Sequence, residues 1–90
     1  AVLGSGPEDE KLVQAMYCLK LYIERIYREN DLHIIGPAYA SVGKVKDIYR
    51  QVIYLKHKDH KTLVHIKDQL EKYIEINSGF RKIYIQFDFS

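Results

Sequence analysis

Two segments of this chain space their apolar residues three or four apart, a third alternates them, and each has only one apolar face. Leu12, Met16, Leu19, Ile23 and Ile26 step by 4, 3, 4 and 3, the spacing of one stripe along an α-helix. Leu63, Ile66, Leu70, Tyr73 and Ile74 form a second stripe. Ile83, Ile85, Phe87 and Phe89 alternate with Tyr84, Gln86 and Asp88, as in a strand covered on one side. Single-faced helices and a single-faced strand are all satisfied by one arrangement, helices layered on one side of a sheet.

The punctuation between these segments sets their order. Ala1-Val2-Leu3-Gly4 reads as the stub of a strand. Gly6-Pro7 followed by Glu8-Asp9-Glu10 reads as a helix start, because proline suits a first turn and carboxylates the positive end of the helix dipole. The first helix is expected over 7–29. Leu32–Ile35 reads as a short strand that Gly36-Pro37 terminates or bulges, with Ser41-Val42-Gly43 as the turn into the next strand, Gln51–Lys58. Asp59 is placed to cap the second helix, and Gly79 suits a left-handed position after its end. The order is β-α-β-β-α-β with a truncated first strand. It predicts an α+β, ferredoxin-like two-layer sandwich: an antiparallel sheet with both helices on one face. Ninety residues form a single domain.

The uncovered sheet face is the first place to look for function. If Ile53 and Leu55 face the core, Arg50, Val52, Tyr54 and Lys56 point the other way, joined by Lys82, Tyr84 and Gln86 of the last strand. Rings between cations on an open sheet suit single-stranded nucleic acid, with bases stacked and phosphates held. The same face equally suits docking against another domain. Net charge is +2, but residues 44–82 carry ten basic and five acidic side chains against four and six in residues 1–43. The C-terminal half thus favours polyanions or acidic peptides.

Catalytic and metal chemistry find little support. Gly36 and Gly43 stand seven apart, and Lys44 is followed by Val45 rather than Ser or Thr, so the stretch is not a phosphate-binding P-loop. His57 is expected on a strand, and His60 and His65 are five apart on a helix, so they do not align on one metal. His60 and Lys61 beside helix N–H groups suit a carboxylate or phosphate instead. Carboxylates at 8–10 read as a helix first turn, and Glu71 and Glu75 as a solvated face. Cys18 is the only cysteine, which excludes an internal disulfide and a cysteine-based zinc site and points to a reduced, cytoplasmic setting. No secretory leader pattern and no apolar run of bilayer length occur. No enzyme is expected in these ninety residues, nor any cofactor.

Gly36-Pro37, Ala40 and Tyr49-Arg50, leading into an apolar strand, resemble the C-terminal domain of the bacterial primosomal protein N′ family, the PriA replication-restart DNA helicases. That family follows a Gly-Pro-x-x-Ala element with a basic linker, an aromatic-Arg pair, a strand, a helix and a final acidic-hydrophobic strand. Residues 85–90, IQFDFS, resemble that ending, without the first Asp and the Pro of the Asp-Val-Asp-Pro found in relatives. The resemblance covers essentially the whole chain and is strongest over 35–56. It implies an ATP-dependent 3′–5′ helicase upstream, with the ATP and magnesium site and the zinc insertion there and not here. It further implies contact with forked or single-stranded DNA, with the helicase core of the same chain and with other primosome proteins. The acidic tail of single-stranded-DNA-binding protein would dock near His60-Lys61, with Val64 one turn on. The expected DNA or partner residues are Lys44, Lys46, Arg50, Tyr54, Lys56, His60, Lys61, Lys82 and Tyr84. A purely structural domain that stabilises the motor is the alternative. A stand-alone RNA-binding module is disfavoured, because the third strand lacks the aromatic RNP motif.

Overall fold

The computed structural model describes residues 1–89, with backbone alone for 41–45. Its elements are β1 (Val2–Gly6), α1 (Asp9–Ile26), β2 (His33–Val45), β3 (Ile48–Lys56), α2 (His60–Ile76), a single 3-10 turn (Ser78–Phe80) and β4 (Tyr84–Phe87). The strands form one antiparallel sheet in the order β2-β3-β1-β4. This is the ferredoxin-like α+β sandwich that the periodicities imply. β1 is no stub: five residues pair with β3 on one side and, over four residues, with β4 on the other.

One layer of contacts holds the sandwich together. Leu12, Ala15, Met16, Leu19 and Ile23 of α1 and Leu63, Ile66 and Leu70 of α2 are buried, together with Val2, Ile53 and Leu55 of the sheet. Gly4 lets α1 approach: a Cβ there would lie 2.5 Å from the Met16 sulfur. The helices meet through Tyr22 and Tyr73, stacked with ring centroids 4.1 Å apart. Phe80 then meets Tyr73 edge-on at 5.9 Å, which seats the 3-10 turn on the core.

Two local expectations are corrected and one is narrowed. The β2–β3 turn is not at Ser41-Val42-Gly43 but at Lys46-Asp47, between the paired residues Val45 and Ile48. Both turn residues have positive φ, 52° and 65°, as a two-residue hairpin turn matching strand twist requires. With no glycine there, composition gave no signal, and β2 takes up its surplus length as a register irregularity between Tyr39 and Lys44. Second, of the two outcomes open at Gly36-Pro37 the bulge is the one formed: Ile35 pairs with Tyr54 and Ala38 with Val52, one residue extra on β2. Third, the left-handed residue after α2 is Lys82, with φ 65°, and not Gly79. Asn77 caps the 3-10 turn by accepting from the Gly79 N–H at 3.0 Å, so the chain turns without a left-handed glycine there. Asp59 caps α2 as expected, accepting from the Lys61 N–H at 3.0 Å.

Candidate nucleic-acid interface

Pairing assigns the side chains of β1, β3 and β4 to a face, since opposite residues share a side. Val2 and Gly4 lie under α1, so their partners Ile53, Gln51, Phe87 and Ile85 also point to the helices. The other face carries Leu3, Ser5, Arg50, Val52, Tyr54, Tyr84 and Gln86. No helix covers it. Ser5 pairs with Arg50 on one side and Tyr84 on the other, so a cation and a ring flank one small residue across three strands. Tyr84 is 66% exposed and Tyr54 52%, and Arg50 and Lys56 are exposed as well. Val52, expected to point outward, does so but is buried between Leu3 and Ala38. It forms the apolar floor of the face.

The nine candidate residues do not form one surface. Arg50, Tyr54, Lys56 and Tyr84 share the open face. Lys46 sits at the hairpin tip and Lys82 in the turn before β4, both exposed. His60 and Lys61 open α2, in the helical layer beyond the other end of β3, and both are exposed. Val64, one turn on, is 39% exposed. The Lys44 side chain lies outside the described residues.

A polar cluster at the α2 end escaped the sequence reading. His57, expected on a strand, lies just past the end of β3, and its side chain is 5% exposed. The Asp59 N–H donates to its Nδ1 at 2.9 Å, so the proton sits on Nε2, which is 2.9 Å from Asp31 Oδ2 and 3.0 Å from the Tyr27 hydroxyl. Tyr27 in turn donates to Asp31 Oδ1 at 2.5 Å. That bond holds the Tyr27 phenol up at about 12 and Asp31 below the usual carboxylate range. Residues 26 and 30 positions apart build this clamp, and no local pattern could announce it. At the other end, Tyr39 donates to Asp9 Oδ1 at 2.7 Å, which raises the Tyr39 phenol. Opposite Tyr39 on β3, Gln51 is buried, its Oε1 without a hydrogen-bond partner among the described residues.

Among the described residues no three His, Cys, Asp or Glu side chains are grouped to hold a metal ion, and no helix is long and apolar enough to cross a membrane. Fold and face together define a ferredoxin-like α+β domain with one open sheet surface of mixed aromatic and basic character. No model of a known protein family matches the chain, and no curated protein sequence matches it.

Proposed function

We propose that this chain is a DNA- and partner-binding accessory domain of a cytoplasmic, ATP-dependent 3′–5′ replication-restart helicase of the primosomal protein N′ family. The observation that carries the reading is the registered row Arg50–Ser5–Tyr84, flanked by exposed Tyr54 and Lys56 on an uncovered sheet. An exposed ring can stack one base, worth about 1–3 kcal/mol, while the neighbouring cation holds its phosphate. The sequence resemblance supplies the parent: ATP, magnesium and zinc belong to its motor, and this domain contributes contacts and no catalysis. Lys61, with His60 and Val64 beside it, is the place for the acidic tail of single-stranded-DNA-binding protein.

Fluorescence anisotropy with a labelled oligothymidylate tests the reading. Affinity should fall steeply between 50 and 200 mM salt, as counterion release demands. Tyr84→Ala should weaken binding about tenfold, the loss of one stacked base. Absence of binding to both the oligonucleotide and an acidic tail peptide at low salt would sink the reading.

A second reading rests on a different observation. Ile35 and Tyr54 are paired and both more than half exposed, at 57% and 52%, as a face docked on the helicase core would be. In that case charge reversal at Lys44, Lys46 and Arg50 of the parent leaves fork binding unchanged. Ile35→Asp then lowers the melting temperature of the parent's motor.

A further inference from the structure

We propose that a single nucleic-acid strand leaves the open face past Tyr84, rounds the sheet end at Lys82 and enters a groove between Lys11 and Arg81. The proposal rests on reading the open face as a nucleic-acid surface, and it adds a site that reading does not contain. The groove has a volume of about 610 Å³ and lies between α1 and the chain linking α2 to β4. That is within the range of small-molecule sites, roughly 300–1,000 Å³, and large enough for a nucleotide. Lys11 and Arg81 supply its charge, Gln14 and Asn77 its neutral donors, and Cys18 lines one wall.

The groove is joined to the open face by shallow surface creases that share their lining residues. The one beside the groove has no room for a water and the one beside Arg50 holds about 50 Å³, so a strand would lie along them and not inside them. One, next to the groove, is lined by Lys11, Arg81 and Lys82 with Gly6 and Pro7. The next shares Gly6, Pro7 and Lys82 and reaches Ser5 and Tyr84. The last shares Ser5 and Tyr84 and reaches Arg50. Arg50, Tyr84, Lys82, Arg81 and Lys11 thus follow one furrow, and the acid lining it is Glu8. Glu8 pairs with Lys11 at 3.1 Å, but the two side chains are 53% and 57% exposed. So exposed a pair adds little stability, and an incoming phosphate can replace it.

The shape of the furrow selects the class of ligand. It passes from one face of the sheet round its end to the helical layer, within a molecule of 36 × 28 × 19 Å. Duplex DNA has a persistence length of about 150 base pairs and does not follow so tight a path. A single strand does. An acidic peptide would find the cations but would leave Tyr84 without a planar partner.

Cys18 is exposed and, as the only cysteine, makes the groove report on itself. Alkylation of Cys18 by N-ethylmaleimide, followed by mass spectrometry, should slow several-fold when the wild-type chain is saturated with a twelve-residue oligothymidylate, but not with the matching duplex. In parallel, Lys11→Gln with Arg81→Gln should lower oligothymidylate affinity about tenfold. The slope of log K against log salt should shrink by about 1.4, two phosphates at roughly 0.7 each. If Tyr84→Ala weakens binding but the double variant does not, and Cys18 is unprotected, the furrow is wrong while the open-face reading stands. If the wild type binds no oligonucleotide at low salt, both fail. Protection of Cys18 by duplex DNA, or by an acidic peptide and not the oligonucleotide, also overturns the proposal. Cys18 protection needs no substitution, so a variant that folds poorly does not obscure the result.

Discussion

At Gly36 the backbone has φ +100°, and a Cβ added there would come within 2.7 Å of the Val52 carbonyl oxygen. Both the torsion and the backbone contact resist any side chain, and the contact cannot be relieved without moving β2 from β3. Gly36→Ala is expected to cost about 2 kcal/mol or more, read as a lower urea midpoint with unchanged slope. A second prediction at this scale concerns pH. Tyr27 and Asp31 perturb each other through one hydrogen bond. The folded Asp31 pKa is depressed, so its contribution is present above the unfolded value of about 3.9 and is lost as pH falls through the folded one. The folded Tyr27 pKa is raised to about 12, so its contribution is present below the unfolded value of about 10 and is lost as pH climbs through 12. Tyr27→Phe removes the shared hydrogen bond from both, leaving Asp31 its contact with His57. The melting-temperature gap between wild type and variant should be widest between these limits and close at each extreme. A gap independent of pH would show that the hydrogen bond is not formed in solution.

Among the elements, α2 depends most visibly on its start. Asp59 satisfies the Lys61 N–H, while its own N–H goes to His57. Asp59→Ala is expected to cost about 1 kcal/mol, a fall in melting temperature of roughly 4–8 °C for a domain of this size. The cap was legible in sequence because capping is local: Asp59 stands directly before a periodic apolar run. The hairpin turn was not. Lys46 and Asp47 occupy left-handed conformations, which Asp tolerates better than Lys, and they do so because strand pairing on both sides leaves two residues to close the loop. Helix faces could be read because burial follows the period of 3.6 residues. The ends of β2 could not, because a bulged strand has no fixed period.

For the whole molecule, the consequence is a separation of two basic regions. Lys46 and Lys82 lie toward the hairpin end of the sheet, with Ile48 and Lys82 lining one depression, whereas His60 and Lys61 follow the far end of β3. The nine residues of β3 put these ends about 25–30 Å apart, beyond the screening length of roughly 8 Å at physiological salt. The two should act independently. Neutralising Lys46 and Lys82 is expected to weaken oligonucleotide binding about tenfold and leave an acidic tail peptide unaffected. Lys61→Gln with His60→Gln should do the reverse. Anisotropy with both probes on both variants measures this, and equal losses in all four combinations would mean a single undivided surface.

What the amino-acid order determined by itself is local: two one-faced helices, an alternating last strand, a capped α2 and a surplus of cations after residue 43. These follow from nearest-neighbour geometry, and they suffice to select a two-layer sandwich, since no other simple arrangement buries every stripe. The tertiary structure alone decided which side chains meet. It set Arg50 and Tyr84 on either side of Ser5, put His60 and Lys61 in a different layer from the open face, and closed Tyr27, Asp31 and His57 into one clamp. It also opened a groove between residues as distant in sequence as Lys11 and Arg81. Such juxtapositions depend on register and packing across the chain; a one-residue shift of β3 against β1, for example, would turn Arg50 to the other face.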